Sequence, residues 1–189
     1  MKRSVVFVVV VCAVIVASAG QADAQMTFGT FKGYLTGHVG IVSGGDVTSE
    51  RMAAGASVAV YESNGWGAEI DFGRSTGVDT NTHALNLTSY MVNAGWVRPA
   101  GLVRPFAGAG GGILQVDGCG FQCTSSARTY DLGMSVGGGA FVAVTEYAGF
   151  RADARYLFSF AEHPELGRPD NLSFWRLSVG ATFMWPIVP

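Results

Sequence analysis

Residues 149–160 read Gly-Phe-Arg-Ala-Asp-Ala-Arg-Tyr-Leu-Phe-Ser-Phe. Side chains of an extended strand alternate between its two faces, so this segment sets Arg151, Asp153 and Arg155 on one face and Phe150, Tyr156, Phe158 and Phe160 on the other. Such a strand needs a polar compartment for three charges and an apolar one for a column of rings. A soluble antiparallel sheet offers both when one face packs on a core and the other meets water. A closed sheet crossing a lipid bilayer also does, with a polar interior and an apolar exterior.

The rest of the chain repeats the pattern. Charged residues make up only 14% of the sequence, against roughly 25% in ordinary soluble proteins, and Lys32 is the only lysine after residue 3. Yet beyond the first 20 residues there is no long apolar run. Alternating segments are expected over 31–42, 52–61, 66–75, 84–97, 106–116, 129–144, 148–160 and 173–185, each able to reach the roughly 9–11 residues that a tilted strand needs to cross the hydrocarbon layer. The connections 62–65, 98–105 and 145–147 are short, and the first carries the Asn64-Gly65 hairpin signal. Those at 43–51, 76–83, 117–128 and 161–172 are longer and polar. Short turns on one side and longer loops on the other predict an all-β, eight-stranded, antiparallel up-and-down transmembrane barrel with the longer loops outside the cell.

The N-terminus reads as an export signal. Lys2 and Arg3 precede an apolar run from Val5 to Ala17, and Ala22-Asp23-Ala24 supplies small residues before Gln25. The run is shorter than the roughly 18–20 residues of a spanning helix. Residues 1–24 are therefore expected to be a cleaved signal peptide carrying Cys12 away, and residues 25–189 to form one barrel domain in the cell outer membrane.

Bulk decides which face points inward. In the last segment Trp175, Leu177, Val179, Ala181, Phe183 and Trp185 share one face, and Arg176, Ser178, Gly180 and Thr182 the other. The interior of an eight-stranded barrel is only just wide enough for side chains to fill it. The smaller polar face is expected inside and the aromatics against lipid, with Trp66, Trp96, Trp175 and Trp185 as girdle residues. Glu69, Asp71, Asp131, Arg151, Asp153, Arg155 and Arg176 then share the lumen. Isolated buried ions cost several kcal/mol each, so a paired network is expected. It reads either as a polar core closing the barrel or as a selectivity constriction, and eight strands favour the closed core.

Other motifs carry less. Cys119 and Cys123 in an exported chain read as a disulfide across a loop tip; zinc would need about four ligands, and no histidine lies near them. Gly108-Ala-Gly-Gly-Gly112 is followed by no helix that could complete a phosphate site, so its glycines read as barrel curvature or close contact. The histidines are His38, expected inside the first strand, His83 and His163. No serine stands in an obvious partnering register with His163, so an activated nucleophile is not expected. No cofactor or metal is indicated, and a net charge of −2 argues against a nucleic-acid partner.

The runs Val92-Asn-Ala-Gly-Trp96, Arg104-Pro-Phe-Ala-Gly-Ala-Gly-Gly-Gly112, Gly137-Gly-Gly-Ala-Phe141 and Phe150-Arg-Ala-Asp-Ala-Arg-Tyr156 resemble the small outer-membrane β-barrel proteins related to the OmpA transmembrane domain and OmpX. The resemblance implies an eight-stranded barrel in a Gram-negative-type outer membrane. Its implied partners are outer-membrane lipid and lipopolysaccharide, together with the barrel-assembly machinery during insertion. The resulting expectation is a non-enzymatic protein with a structural, envelope-integrity or surface-recognition role through its extracellular loops. A narrow channel for small or hydrophobic solutes is the alternative, and a lipid A-modifying enzyme a more distant one.

Overall fold

A computed structural model describes residues 30–79, 84–119, 126–160 and 171–187. Eight strands follow one another in chain order: β1 (Phe31–Gly44), β2 (Val47–Glu62), β3 (Trp66–Asp79), β4 (Ala84–Val97), β5 (Val103–Cys119), β6 (Ser126–Ala143), β7 (Ala148–Ser159) and β8 (Ser173–Ile187). Each pairs antiparallel with its neighbours, and β1 pairs with β8 from Phe31↔Ile187 to Ser43↔Trp175, closing the barrel. Closure leaves no edge strand within the membrane, the condition lipid imposes on a sheet.

The strands run further than the apolar alternation suggests. The stretch 43–51, expected as a loop, is a tight turn: Gly44 pairs with Val47, and Gly44 and Gly45 take the positive φ angles of 74° and 63° that glycine tolerates without strain. Asp46 ties this turn to β8, accepting hydrogen bonds from the Ser173 backbone N–H (2.7 Å) and hydroxyl (3.0 Å). On the same side of the barrel β5 and β6 stay paired out to Cys119↔Ser126. Polar residues beyond the bilayer can remain in a strand without alternating apolar side chains, so hydrophobic patterning stops short of the true strand ends. Residues 1–24, His83, Cys123 and His163 lie outside the described residues.

Alternation sorts the side chains as lipid requires. Leu35, Val39, Ile70, Val92, Leu132, Val136, Phe150, Leu177, Val179 and Phe183 point outward and are exposed. Trp66 and Trp96 face each other in the β3–β4 register near the short turns, and Trp96 Nε1 donates to the Asn64 carbonyl at 3.1 Å. Trp185 packs on Phe183 at that same end, while Trp175 packs on Tyr156 towards the other. Trp175 and Trp185 are ten residues apart on β8, roughly 25 Å along the barrel axis for a tilted strand and close to the height of an outer-membrane apolar band.

Candidate functional site

The interior is built in three layers. At the short-turn end Tyr34, Ala59, Tyr61, Val97, Phe106, Phe141 and Met184 form one apolar cluster. Its rings interlock, with centroids 5.5 Å apart for Tyr34–Tyr61, 5.0 Å for Tyr34–Phe141 and 4.8 Å for Phe106–Phe141. Towards the loop end a second cluster joins Val42, Val78, Leu85, Leu87, Met91, Leu114, Val116, Leu157 and Phe174, among others. The expectation that aromatics face lipid therefore fails for Tyr34, Tyr61, Phe106, Phe141 and Phe174. Glycines on the inward face explain how the rings fit. A Cβ on Gly67 would lie 2.6 Å from Tyr61 Cδ1, so the ring occupies the space that this glycine leaves.

Charges fill the middle layer. Arg151 of β7 makes a two-pronged pair with Glu69 of β3, Nη1 to Oε1 at 2.8 Å and Nη2 to Oε2 at 3.2 Å. Arg155, two inward positions further along β7, donates Nη2 to Glu69 Oε2 at 2.7 Å. Asp153, between the two arginines, accepts from Arg151 Nη2 and Arg155 Nε, both at 3.0 Å, and from the Ser178 hydroxyl. Ser57 accepts from Arg151 Nη1 at 3.2 Å. The guanidinium of Arg151 also lies over Phe106 and Phe141, 4.4 and 5.1 Å from their ring centroids. It thus joins the ionic layer to the aromatic one, a contact worth up to about 2 kcal/mol when desolvated.

A second group sits beside the first. Arg176 of β8 donates Nη2 to Asp71 Oδ1 at 2.7 Å, and His38 Nε2 of β1 stands 3.4 Å from Asp71 Oδ2. Asp131 is buried on the inward face of β6, paired in register with Leu114 and displaced towards the loop end. Of the seven charges expected in the lumen, the structure thus brings Glu69, Arg151, Asp153 and Arg155 into one cluster and Asp71 and Arg176 into another.

Uncharged side chains complete the layer. Thr36 and Thr182 hydrogen-bond at 2.9 Å, and the Ser135 hydroxyl donates to Asn93 Oδ1 at 2.6 Å. All share the inward register of their strands, so two-residue alternation was the available signal. Glycines again make room for long side chains: a Cβ on Gly137 would meet Arg155 Cγ at 2.9 Å, and one on Gly73 would meet Arg176 Nη1 at 2.3 Å. Between Tyr61, Glu69, Asn93, Ser135 and Arg155 remains a void of about 10 Å³, on the order of one water molecule.

A closed, lipid-facing antiparallel barrel with an ion-paired layer between two apolar ones is thereby in place. The family model for "Outer membrane protein beta-barrel domain" matches residues 9–183. The chain belongs to that family. This outer-membrane barrel is similar in fold to the crystal structure of Neisserial surface protein A, with a TM-score of 0.61 and 16% identity over 81% of this chain and 96% of that one. It is also similar to OprG from Pseudomonas aeruginosa, with a TM-score of 0.56 and 13% identity over 86% of this chain and 99% of that one. Against Ail, the attachment invasion locus protein of Yersinia pestis, the TM-score is 0.54 at 18% identity, over 83% of this chain and 99% of the other. At these identities the likeness is one of fold. No curated protein matches the chain.

Proposed function

We propose that this protein is a closed, non-enzymatic outer-membrane barrel whose role is structural or one of surface recognition, exercised from the hairpins that project on the loop side. The observation that carries this reading is the layered lumen: rings at one end, an ion-paired layer in the middle and aliphatic side chains at the other. An ion crossing it would have to displace two apolar layers as well as part with its hydration, a cost of several kcal/mol even after relaxation. Against an enzymatic role, neither ring nitrogen of buried His38 hydrogen-bonds a hydroxyl among the described residues, whereas an activated serine needs such a base. One structural neighbour is named a surface protein and another an attachment invasion locus protein, and the role proposed here is of that kind.

Planar-bilayer recording of the refolded chain tests this reading. The expected result is no reproducible unitary conductance. A unitary conductance that changes when Asp71 or Arg155 is replaced would instead establish a narrow channel. Incubation with lipopolysaccharide should leave the mass of the lipid unchanged.

A further inference from the structure

The outer wall of β3 to β6 carries a polar cluster just beyond the apolar belt on the loop side. Successive registers align Arg74, Thr88, Gln115 and Tyr130 in one row across the four strands, and Asn86, Asp117 and Arg128 in the next row outward. Directly below, on the same strands, lie the exposed belt residues Phe72, Tyr90, Ile113 and Leu132. The cluster therefore stands where apolar wall gives way to polar surface, the height of lipid headgroups.

Its chemistry is that of an anion site with one carboxylate as scaffold. Asp117 accepts from Arg128 Nε at 2.6 Å and from Gln115 Nε2 at 2.8 Å. Arg74 stands on the same outward face two strands away, where its charge acts on that carboxylate, and Tyr130 is the register neighbour of Gln115 on β6. Two guanidinium groups around one carboxylate leave a positive charge over. Arg128, 60% exposed, is held to Asp117 through Nε, which leaves its Nη edge for another acceptor. Guanidinium groups match phosphate oxygens in paired hydrogen bonds, and basic clusters at a membrane surface draw anionic headgroups.

We propose that Arg74 and Arg128, supported by Gln115 and Tyr130, form a docking site for the phosphate headgroup of an outer-leaflet lipid. The lipid's chains would lie along Phe72, Tyr90, Ile113 and Leu132 while its phosphate meets the two guanidinium groups. Membrane lipid is the occupant, because the site opens sideways above the apolar wall and not into a pocket that would enclose a free anion. This inference rests on the barrel's place in the outer membrane and is independent of whether the lumen conducts.

The test is native mass spectrometry of the full barrel in detergent, titrated with lipid A carrying its phosphates and with the same lipid dephosphorylated. Arg74→Gln with Arg128→Gln should weaken binding of the phosphorylated lipid by about tenfold to thirtyfold and leave the dephosphorylated lipid unaffected. Arg98→Gln, an exposed arginine at the short turns, should change neither. With the unaltered barrel, added salt should weaken only the phosphorylated lipid, a readout that does not depend on the variant's folding. Equal binding by the double variant would overturn the proposal, as would an equal loss for both lipids. Displacement of the phosphorylated lipid by millimolar inorganic phosphate would also overturn it, by showing a site for free anions.

Discussion

Arg151 of β7 and Glu69 of β3 join strands on opposite walls of the barrel, four strands apart around the ring, through paired hydrogen bonds of 2.8 and 3.2 Å. Glu69 also takes Arg155 at 2.7 Å, and Asp153 bridges the same two arginines at 3.0 Å each, so two carboxylates balance two buried guanidinium groups. The wild-type pairing is weak evidence of net stabilisation, since desolvation offsets much of the attraction. Removing one partner is a different matter. Glu69→Ala should cost about 3–5 kcal/mol, read as a lower urea midpoint for the barrel in lipid vesicles. Replacing Glu69 and Arg151 together with Leu and Met should cost less than the two single changes added, and simple additivity would refute the coupling.

The aromatic layer predicts a cost of another kind. Phe141 is fully buried against Tyr34, Phe106 and the Arg151 guanidinium. Phe141→Ala should destabilise the barrel by about 3–5 kcal/mol through the cavity left behind. Phe141→Leu, which keeps most of the volume, should retain most of the stability. Equal losses in the two variants would show that packing volume is not what the ring supplies.

Gly73 tests how glycine and arginine share the lumen. A Cβ there would stand 2.3 Å from Arg176 Nη1, and the end of that flexible side chain can move aside only by loosening its 2.7 Å contact with Asp71. Gly73→Ala should therefore cost about 1–3 kcal/mol. The loss should shrink when Asp71→Asn is already present, because the displaced contact is then no longer ionic. An undiminished loss in that background would place the strain in the backbone.

These cases separate what could be read in the chain from what could not. Period-two alternation in residues 149–160 and 173–185 set the inward face, and Glu69, Asp71, Arg151, Asp153, Arg155 and Arg176 all lie on it. The arrangement inside was not legible, because alternation gives the face of a side chain and not its neighbours across a ring. Tyr34, Tyr61, Phe106 and Phe141 share the inward parity, yet bulk alone argued that rings belong outside. A ring on one strand is accommodated by a glycine on the next, as Gly67 of β3, the register partner of Tyr61, leaves room for its ring, and a single strand's pattern does not show this. The projecting ends of β2, β5 and β6 were missed because polar strand beyond the bilayer carries no apolar period.

The rim carboxylate Asp117 supplies a pH prediction. Burial pushes its carboxyl upward, but hydrogen bonds from Arg128 and Gln115 and the charges of Arg128 and Arg74 outweigh this and hold it below the ordinary carboxylate value. A carboxyl depressed in the folded state contributes stability that is fully present above its unfolded value, about 3.9, and is lost as pH falls through the lower folded value. Carboxyl NMR should find its titration midpoint below that of a model aspartate, and Arg128→Gln should move the midpoint up. An unchanged midpoint would mean that Arg128 does not set the charge of the cluster.

The outward face gives the sharpest test of the membrane assignment. Val179 is 60% exposed on β8, between Trp175 and Trp185, and lies near the middle of the apolar belt. Val179→Arg should destabilise the folded barrel in a bilayer by about 2–4 kcal/mol, the cost of an arginine at the midplane of a barrel's lipid face. The same change at Met52, which is exposed towards the loop-side end of β2, should cost no more than about 1 kcal/mol, the cost near an interface. The measurement is urea unfolding from vesicles, scored by heat-modifiable gel migration. Equal losses at the two positions would contradict an apolar belt centred between the two tryptophans. A greater loss at Met52 would move the bilayer towards the loop end and would place Arg74 and Arg128 within the hydrocarbon layer, where no headgroup phosphate could meet them.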